Sequence, residues 1–204
     1  MGSRISFLFA IISLTVLSCG EKKSAPTVGS GDWSGFEVHA VEGSESNLLT
    51  RDDENGFPAE EGYTLNGVKD GLWLTYHPAR IANVRGETRI QTLNTYQNGR
   101  IEGVSMEFDQ RGQIIKKAYY RNGELDGPFV TYKFGRPLEI IPYDAGEING
   151  KVVKYYPGGK VREEIEYKNG VQDGKYNHYN EDQKLDMQYE YKNGEKISGG
   201  IVED

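Results

Sequence analysis

Tyr167-Lys168-Asn169-Gly170-Val171-Gln172-Asp173-Gly174 is the phrase on which the reading of this chain turns. Its first half recurs as Tyr96-Gln97-Asn98-Gly99, Tyr120-Arg121-Asn122-Gly123 and Tyr191-Lys192-Asn193-Gly194. Weaker copies stand at Thr64-Leu65-Asn66-Gly67 and Tyr143-Asp144-Ala145-Gly146. The first glycines, Gly67, Gly99, Gly123, Gly146, Gly170 and Gly194, are spaced by 32, 24, 23, 24 and 24 residues. A fixed period in this range is the signature of a repeat array. Four residues after each of the first five comes a second glycine: Gly71, Gly103, Gly127, Gly150 and Gly174. An acid or amide precedes it: Asp70, Glu102, Asp126, Asn149 or Asp173. Asn-Gly and Asp-Gly supply positive φ at little steric cost, so the glycines read as turn residues and each copy as a hairpin-type turn. In the sixth copy the second glycine slips to Gly199.

Nine residues after each first glycine stands an aromatic: Tyr76, Phe108, Tyr132, Tyr155 and Tyr179. A second turn of five residues follows, as in Tyr156-Pro157-Gly158-Gly159-Lys160, and then an aliphatic residue: Ile90, Ile114, Leu138, Val161 or Leu185. From there the chain alternates, as in Leu185, Met187, Tyr189 and Tyr191, which is the period of a strand with one buried face. Each unit is two strands and two turns. The fold expected is all-β: an elongated antiparallel meander of repeated β-hairpins, about 24 residues per repeat. A further aromatic column, Trp73, Phe129 and Tyr176, lies three residues before the first in the same strands, so alternation puts the two on opposite faces. Both columns read chiefly as cross-strand packing, with a carbohydrate or peptide platform as the functional alternative. Ile90 keeps phase with Ile114, so the first unit's surplus residues fall in its second turn, His77 to Arg89. The third unit is one residue short, and Pro142 predicts a local bulge or bend there.

The run Asn66-Gly67-Val68-Lys69-Asp70-Gly71-Leu72-Trp73-Leu74-Thr75-Tyr76 resembles the MORN-repeat variant of bacterial proteins, some of whose relatives are labelled antitoxin-like. The resemblance covers about two-thirds of the chain, as about five full repeats and a partial one. It implies an elongated hairpin sheet and mostly protein or membrane contacts.

At the other end, Arg4 precedes an apolar run from Ile5 to Leu17. Thirteen residues are too few to span a membrane and suit a signal-peptide core. The run closes Val16-Leu17-Ser18-Cys19, which resembles the lipobox of bacterial lipoproteins, and Cys19 is the only cysteine. The expected division is a signal peptide over 1–18, a lipidated tether over 19–35, a capping segment over 36–62 and the array over 63–204. The expected address is the bacterial cell envelope, lipid-anchored through Cys19 and in the outer membrane if the cell has two. Without residues 1–18 the chain carries a net charge of −8, a poor match for nucleic acid or anionic headgroups. Glu203 and Asp204 at the end of the chain read as a guard against edge pairing, and the chain is expected to be a monomer.

No catalytic motif is present: His39, His77 and His178 are scattered, and no glycine-rich phosphate loop opens a helix. Arg51-Asp52-Asp53-Glu54-Asn55-Gly56 has arginine at the first ligand position of a calcium loop, so no metal is expected, nor any other cofactor. The acidic column reads as local turn chemistry. The one candidate contact site is the long turn, whose Arg80, Arg85 and Arg89 are flanked by Trp73 and Tyr76. Arginine and aromatic rings on a loop suit an acidic or aromatic partner. The function expected is a non-enzymatic interaction or scaffold lipoprotein binding a protein or envelope component. The alternative is an antitoxin-like or regulatory role toward an exported partner.

Overall fold

The computed structural model describes residues 31–78 and 88–202. The described residues form one antiparallel sheet. Its first half holds β1 (Glu37–Ala40), β2 (Ser46–Asp52), β3 (Pro58–Leu65), β4 (Val68–Tyr76), β5 (Ile90–Gln97), β6 (Arg100–Phe108), β7 (Ile114–Arg121) and β8 (Glu124–Leu125). Its second half holds β9 (Gly127–Lys133), β10 (Arg136–Asp144), β11 (Glu147–Ile148), β12 (Gly150–Tyr155), β13 (Val161–Lys168), β14 (Val171–Tyr179), β15 (Leu185–Lys192) and β16 (Glu195–Ile201). The strands pair in chain order, with the short β8 and β11 set against β7 and β10. The all-β meander read from the period is the fold.

Two kinds of turn alternate along the two long edges. On one edge the two-residue connections are Asn-Gly pairs, as at Asn169 (φ 49°) and Gly170 (φ 77°), except for Ala145 (φ 47°) and Gly146 (φ 84°). Positive φ at both central residues is the primed turn whose twist matches the strands it joins. On the other edge the turns close as Asp109 N to Gln113 O at 2.9 Å, Tyr156 N to Lys160 O at 2.8 Å and Asn180 N to Lys184 O at 2.9 Å. His77 N bonds Arg89 O at 2.9 Å in the same manner, so the long insertion springs from the base of an ordinary second turn.

The second glycines need a correction. Gly71, Gly103, Gly127, Gly150 and Gly174 are not turn residues but stand in strands, beside shifts of register. In the β13–β14 pair, Ile165 faces Tyr176 but Tyr167 faces Gln172, so β14 carries extra residues around Gly174 (φ 116°). That is a bulge, and it demands the same positive φ as a turn does. A Cβ on Gly127 (φ 115°) would also sit 3.3 Å from Tyr119 Cβ. The bend expected at Pro142 lies elsewhere. Pro142 keeps register opposite Pro128, and the shift falls between Pro137 and Glu139. The third unit loses its residue in the second turn, which tightens to Phe134 (φ 52°) and Gly135 (φ 74°).

Residues paired across a junction share a face. Leu49, Gly62, Trp73, Asn94, Ser105 and Ala118 form one such row, and Val152, Ile165, Tyr176 and Tyr189 another on the same side. We call this the Trp73 face. The opposite face carries Leu74, Leu93 and Met106, and then Val130, Ile140 and Val153. Leu49, Trp73, Ala118, Val152 and Ile165 are buried on the first face and Val130 on the second. Among the described residues no second layer covers either face; neighbouring side chains bury one another within the sheet.

Candidate functional site

Trp73 and Tyr76 stand three residues apart in β4, on opposite faces. Trp73 is 2% exposed, and its Nε1 donates to Tyr63 O at 2.8 Å. Trp33 stacks on it with centroids 5.5 Å apart, Phe36 meets it edge-on at 6.1 Å, and Lys69 Nζ lies 3.8 Å from its centroid. Trp33 Nε1 donates to Gly67 O at 3.1 Å, which pins the lid of this cluster to the first Asn-Gly turn. Trp73 is therefore core rather than contact surface. Sequence reasoning missed Trp33, which lies in a Gly/Ser-rich stretch without period. The one available signal was a second tryptophan in a chain that has two.

Tyr76 turns the other way. Its hydroxyl donates to Glu61 Oε1 at 2.6 Å. Burial, then the bond to Glu61 and that carboxylate's charge, push its phenol well above the ordinary range. Tyr179 repeats the arrangement four units later, donating to Glu164 Oε2 at 3.2 Å, and burial with Glu164 likewise raises its phenol. Arg89 is held at the base of the insertion through its carbonyl, which accepts from His77 N. Arg80 and Arg85 lie outside the described residues, as does Cys19. Of the residues expected to meet around the long turn, Tyr76 and Arg89 share its base and Trp73 is sealed behind the sheet.

Phe108, Tyr132, Tyr155 and Tyr179 continue Tyr76 along the same edge. Four of the five aromatics face an aliphatic across a register shift: Tyr76 faces Ile90, Phe108 faces Ile114, Tyr155 faces Val161 and Tyr179 faces Leu185. Tyr132 faces Pro137 beside the same kind of shift. Each shift leaves an extra residue on the incoming strand, such as Gln91 or Ile115, and a bulge re-aims its neighbours. The result is one aromatic–aliphatic stripe across the whole array. A ring recurs every second strand, or roughly 9.5 Å. The rings are half-buried.

Near the insertion the stripe borders a hollow of about 330 Å³, lined by His77, Gln91, Glu107, Phe108, Asp109 and Arg111 among others. His77 Nε2 lies 3.0 Å from Phe108 O and donates to it. Glu107 pairs with Lys116 at 2.6 Å. Asp109 Oδ1 accepts from Arg111 N and Gln113 N at 2.8 and 2.9 Å. Those backbone donors, Gln113 first, hold its carboxyl below the usual range. The hollow's acids are thus engaged in the fold, and its lining mixes polar side chains with Phe108 and Ile115. Among the described residues no group of three His, Cys, Asp or Glu side chains is placed to hold a metal ion.

Three members of the acidic column join units rather than close their own turn, while Asp126 pairs with Arg121 of its own turn at 3.2 Å and Asn149 with Asp144 at 3.4 Å. Asp70 Oδ2 accepts from Asn98 N at 2.9 Å, Glu102 Oε2 from Asn122 N at 2.6 Å and Asp173 Oδ2 from Asn193 N at 3.1 Å. Each reaches the Asn-Gly turn of the next unit. The backbone does the same, with Gly123 N to Ile101 O at 3.0 Å and Gly170 N to Ile148 O at 2.8 Å.

The family model described as the MORN repeat variant matches residues 101–125 and 148–169. The chain carries MORN repeat variants. The first match runs from the bulge at Gly103 through the Asn122-Gly123 turn, and the second from the bulge at Gly150 to Asn169. No curated protein matches the chain. Among solved structures, a crystal structure of TarM matches at 14% identity and a TM-score of 0.35, over 53% of this chain and 21% of that one. A mutant of S. aureus TarM in complex with Fondaparinux, alpha-GlcNAc-glycerol and UDP gives the same values. The match spans about a fifth of the TarM chain, and at that TM-score it bears on neither fold nor activity.

Proposed function

We propose that this MORN-variant array is a non-enzymatic interaction protein of the bacterial envelope, anchored by lipid on Cys19, that binds a protein or another envelope component along its Tyr76 face. The observation that carries the reading is the stripe from Tyr76 to Tyr179, which offers one half-buried ring per unit with no second layer over it among the described residues. An extended partner laid along the array meets the same contact again and again. Weak contacts joined in that way gain affinity through effective concentration. Aromatic rings suit such a surface because each supplies contact area, and Glu61 and Glu164 fix the hydroxyls of Tyr76 and Tyr179. The anchoring supports the same reading, since an apolar run of signal length leads straight to Cys19.

The test is a photo-reactive phenylalanine placed singly at Tyr132 or Tyr155 on the proposed face, and at Tyr176 on the other. Irradiation of cells should give adducts to an envelope component from the first two and not from the third. Adducts only from Tyr176, or none from any position, would remove the stripe as the binding surface.

A further inference from the structure

The stripe on the Tyr76 face has a period as well as a chemistry. Its rings, Tyr76, Phe108, Tyr132, Tyr155 and Tyr179, stand on β4, β6, β9, β12 and β14, which are alternate strands in the order of the sheet. The line of rings therefore runs across the strands with a step of roughly 9.5 Å. A chain laid along that line meets every ring only if its own repeat matches the step. An extended strand returns a side chain to the same side after about 6.7 Å. An α-helix turns once in about 5.4 Å. A polyproline II helix turns once in three residues, or about 9.3 Å.

Resting on the reading of the stripe as the binding surface, we propose that its ligand is a proline-rich, cationic segment of a partner protein in the polyproline II conformation, with one turn on each ring. The surface beside the rings has the matching chemistry. Ile90, Ile114, Val161 and Leu185 face four of them, and Pro137 faces Tyr132. Aromatic and aliphatic side chains together receive the pyrrolidine rings of proline, and aromatic-lined grooves are the usual seat of such segments. A polyproline II backbone stays solvated, so it asks for no ladder from a sheet whose inner strands are already paired on both sides. A glycan would need a hydrogen-bond partner for its hydroxyls at each step. Tyr76 and Tyr179 have committed their hydroxyls to Glu61 and Glu164, and Phe108 has none. Charge sets the sign of the ligand. Residues 31–78 hold ten acids against two bases, so lysine or arginine between the prolines suits the Tyr76 end.

The test is fluorescence anisotropy with the full chain carrying Cys19→Ser, in mild detergent, and labelled peptides of two to five Pro-Pro-Lys triplets. Affinity should rise with each triplet up to five, because each meets one more ring. Gly-Gly-Lys peptides of the same length and charge should bind far more weakly. Tyr132→Ala or Tyr155→Ala should weaken the longest peptide roughly threefold to tenfold. Tyr132→Phe, which keeps the ring, should bind as the wild type does. Equal binding of the glycine peptides, affinity that stops rising at two triplets, or full affinity in both alanine variants would each overturn the proposal. So would a β-1,4-linked N-acetylglucosamine hexamer that binds where the proline peptides do not. Adducts from Tyr132 and Tyr155 in cells, with no peptide bound in solution, would reject the proline ligand and leave the stripe as a binding surface.

Discussion

Asp109 shows how a single side chain sets a second turn. Its Oδ1 takes two backbone N–H groups that the five-residue loop would otherwise leave open. Asn180 does the same for Asp182 N and Lys184 N at 2.9 and 3.0 Å, and Asp53 for Asn55 N and Phe57 N at 2.9 and 3.0 Å. The last case also explains why 51–56 merely resembles a cation loop: Asp53 is turned onto its own backbone. Since asparagine serves at position 180, the turn needs the oxygen and not the charge. Charge enters only through pH. The folded carboxyl of Asp109 is held low, so its contribution is complete above the unfolded value of about 3.9 and is lost as pH falls through the lowered folded value. Asp109→Asn, which keeps the oxygen but not the ionised form, should therefore melt somewhat below the wild type at pH 7 and converge with it below about pH 4. Asp109→Ala should be weaker at both. Urea melts across pH decide it, and an acid response unchanged in the asparagine variant would show that the bond pattern at Asp109 carries no weight.

At the scale of elements, the hairpins are coupled by their turns as much as by their ladders. Glu102 closes on Asn122 N in the following unit while Ile101 O takes Gly123 N, so each primed turn is built onto its predecessor. Nearest-neighbour coupling of this kind is what makes a repeat array cooperative. Glu102→Ala should speed hydrogen exchange at the Asn122 amide and leave Asn169, two units on, unchanged. Equal exchange at Asn122 in both proteins would mean that the carboxylate is ornament. The Asn-Gly turns and the strand order were legible in the sequence because a two-residue primed turn admits few other pairs. The in-strand glycines were not, since bulge and turn ask for the same φ and the sequence shows only the glycine. Asp70, Glu102 and Asp173 were misplaced for a related reason. An acid before glycine has an obvious local use, and nothing in the spacing says that it serves the next unit. Trp33 escaped because a period informs only about residues inside the array.

The whole molecule is a strip whose fourteen successive strands extend roughly 60 Å at the usual strand spacing. Its charge is concentrated at the N-terminal end, and the proposed anchor enters there. Between Cys19 and Gly31 lie eleven residues, which can reach at most about 40 Å when extended. Lipid on Cys19 would thus hold the acidic end near a surface that is itself often anionic. Electrostatic attraction cannot be what keeps the protein there, because like charges repel across that gap. On the proposed anchoring, retention comes from the acyl chains, and two or three of them give stable attachment where one gives only marginal binding. Cys19→Ala should consequently move the chain from the membrane pellet to the soluble fraction, with no dependence on salt. A variant that stays in the pellet at low salt and leaves at high salt would point to a charged docking partner. One that stays throughout a high-salt wash would show that something other than lipid on Cys19 holds the array to the membrane.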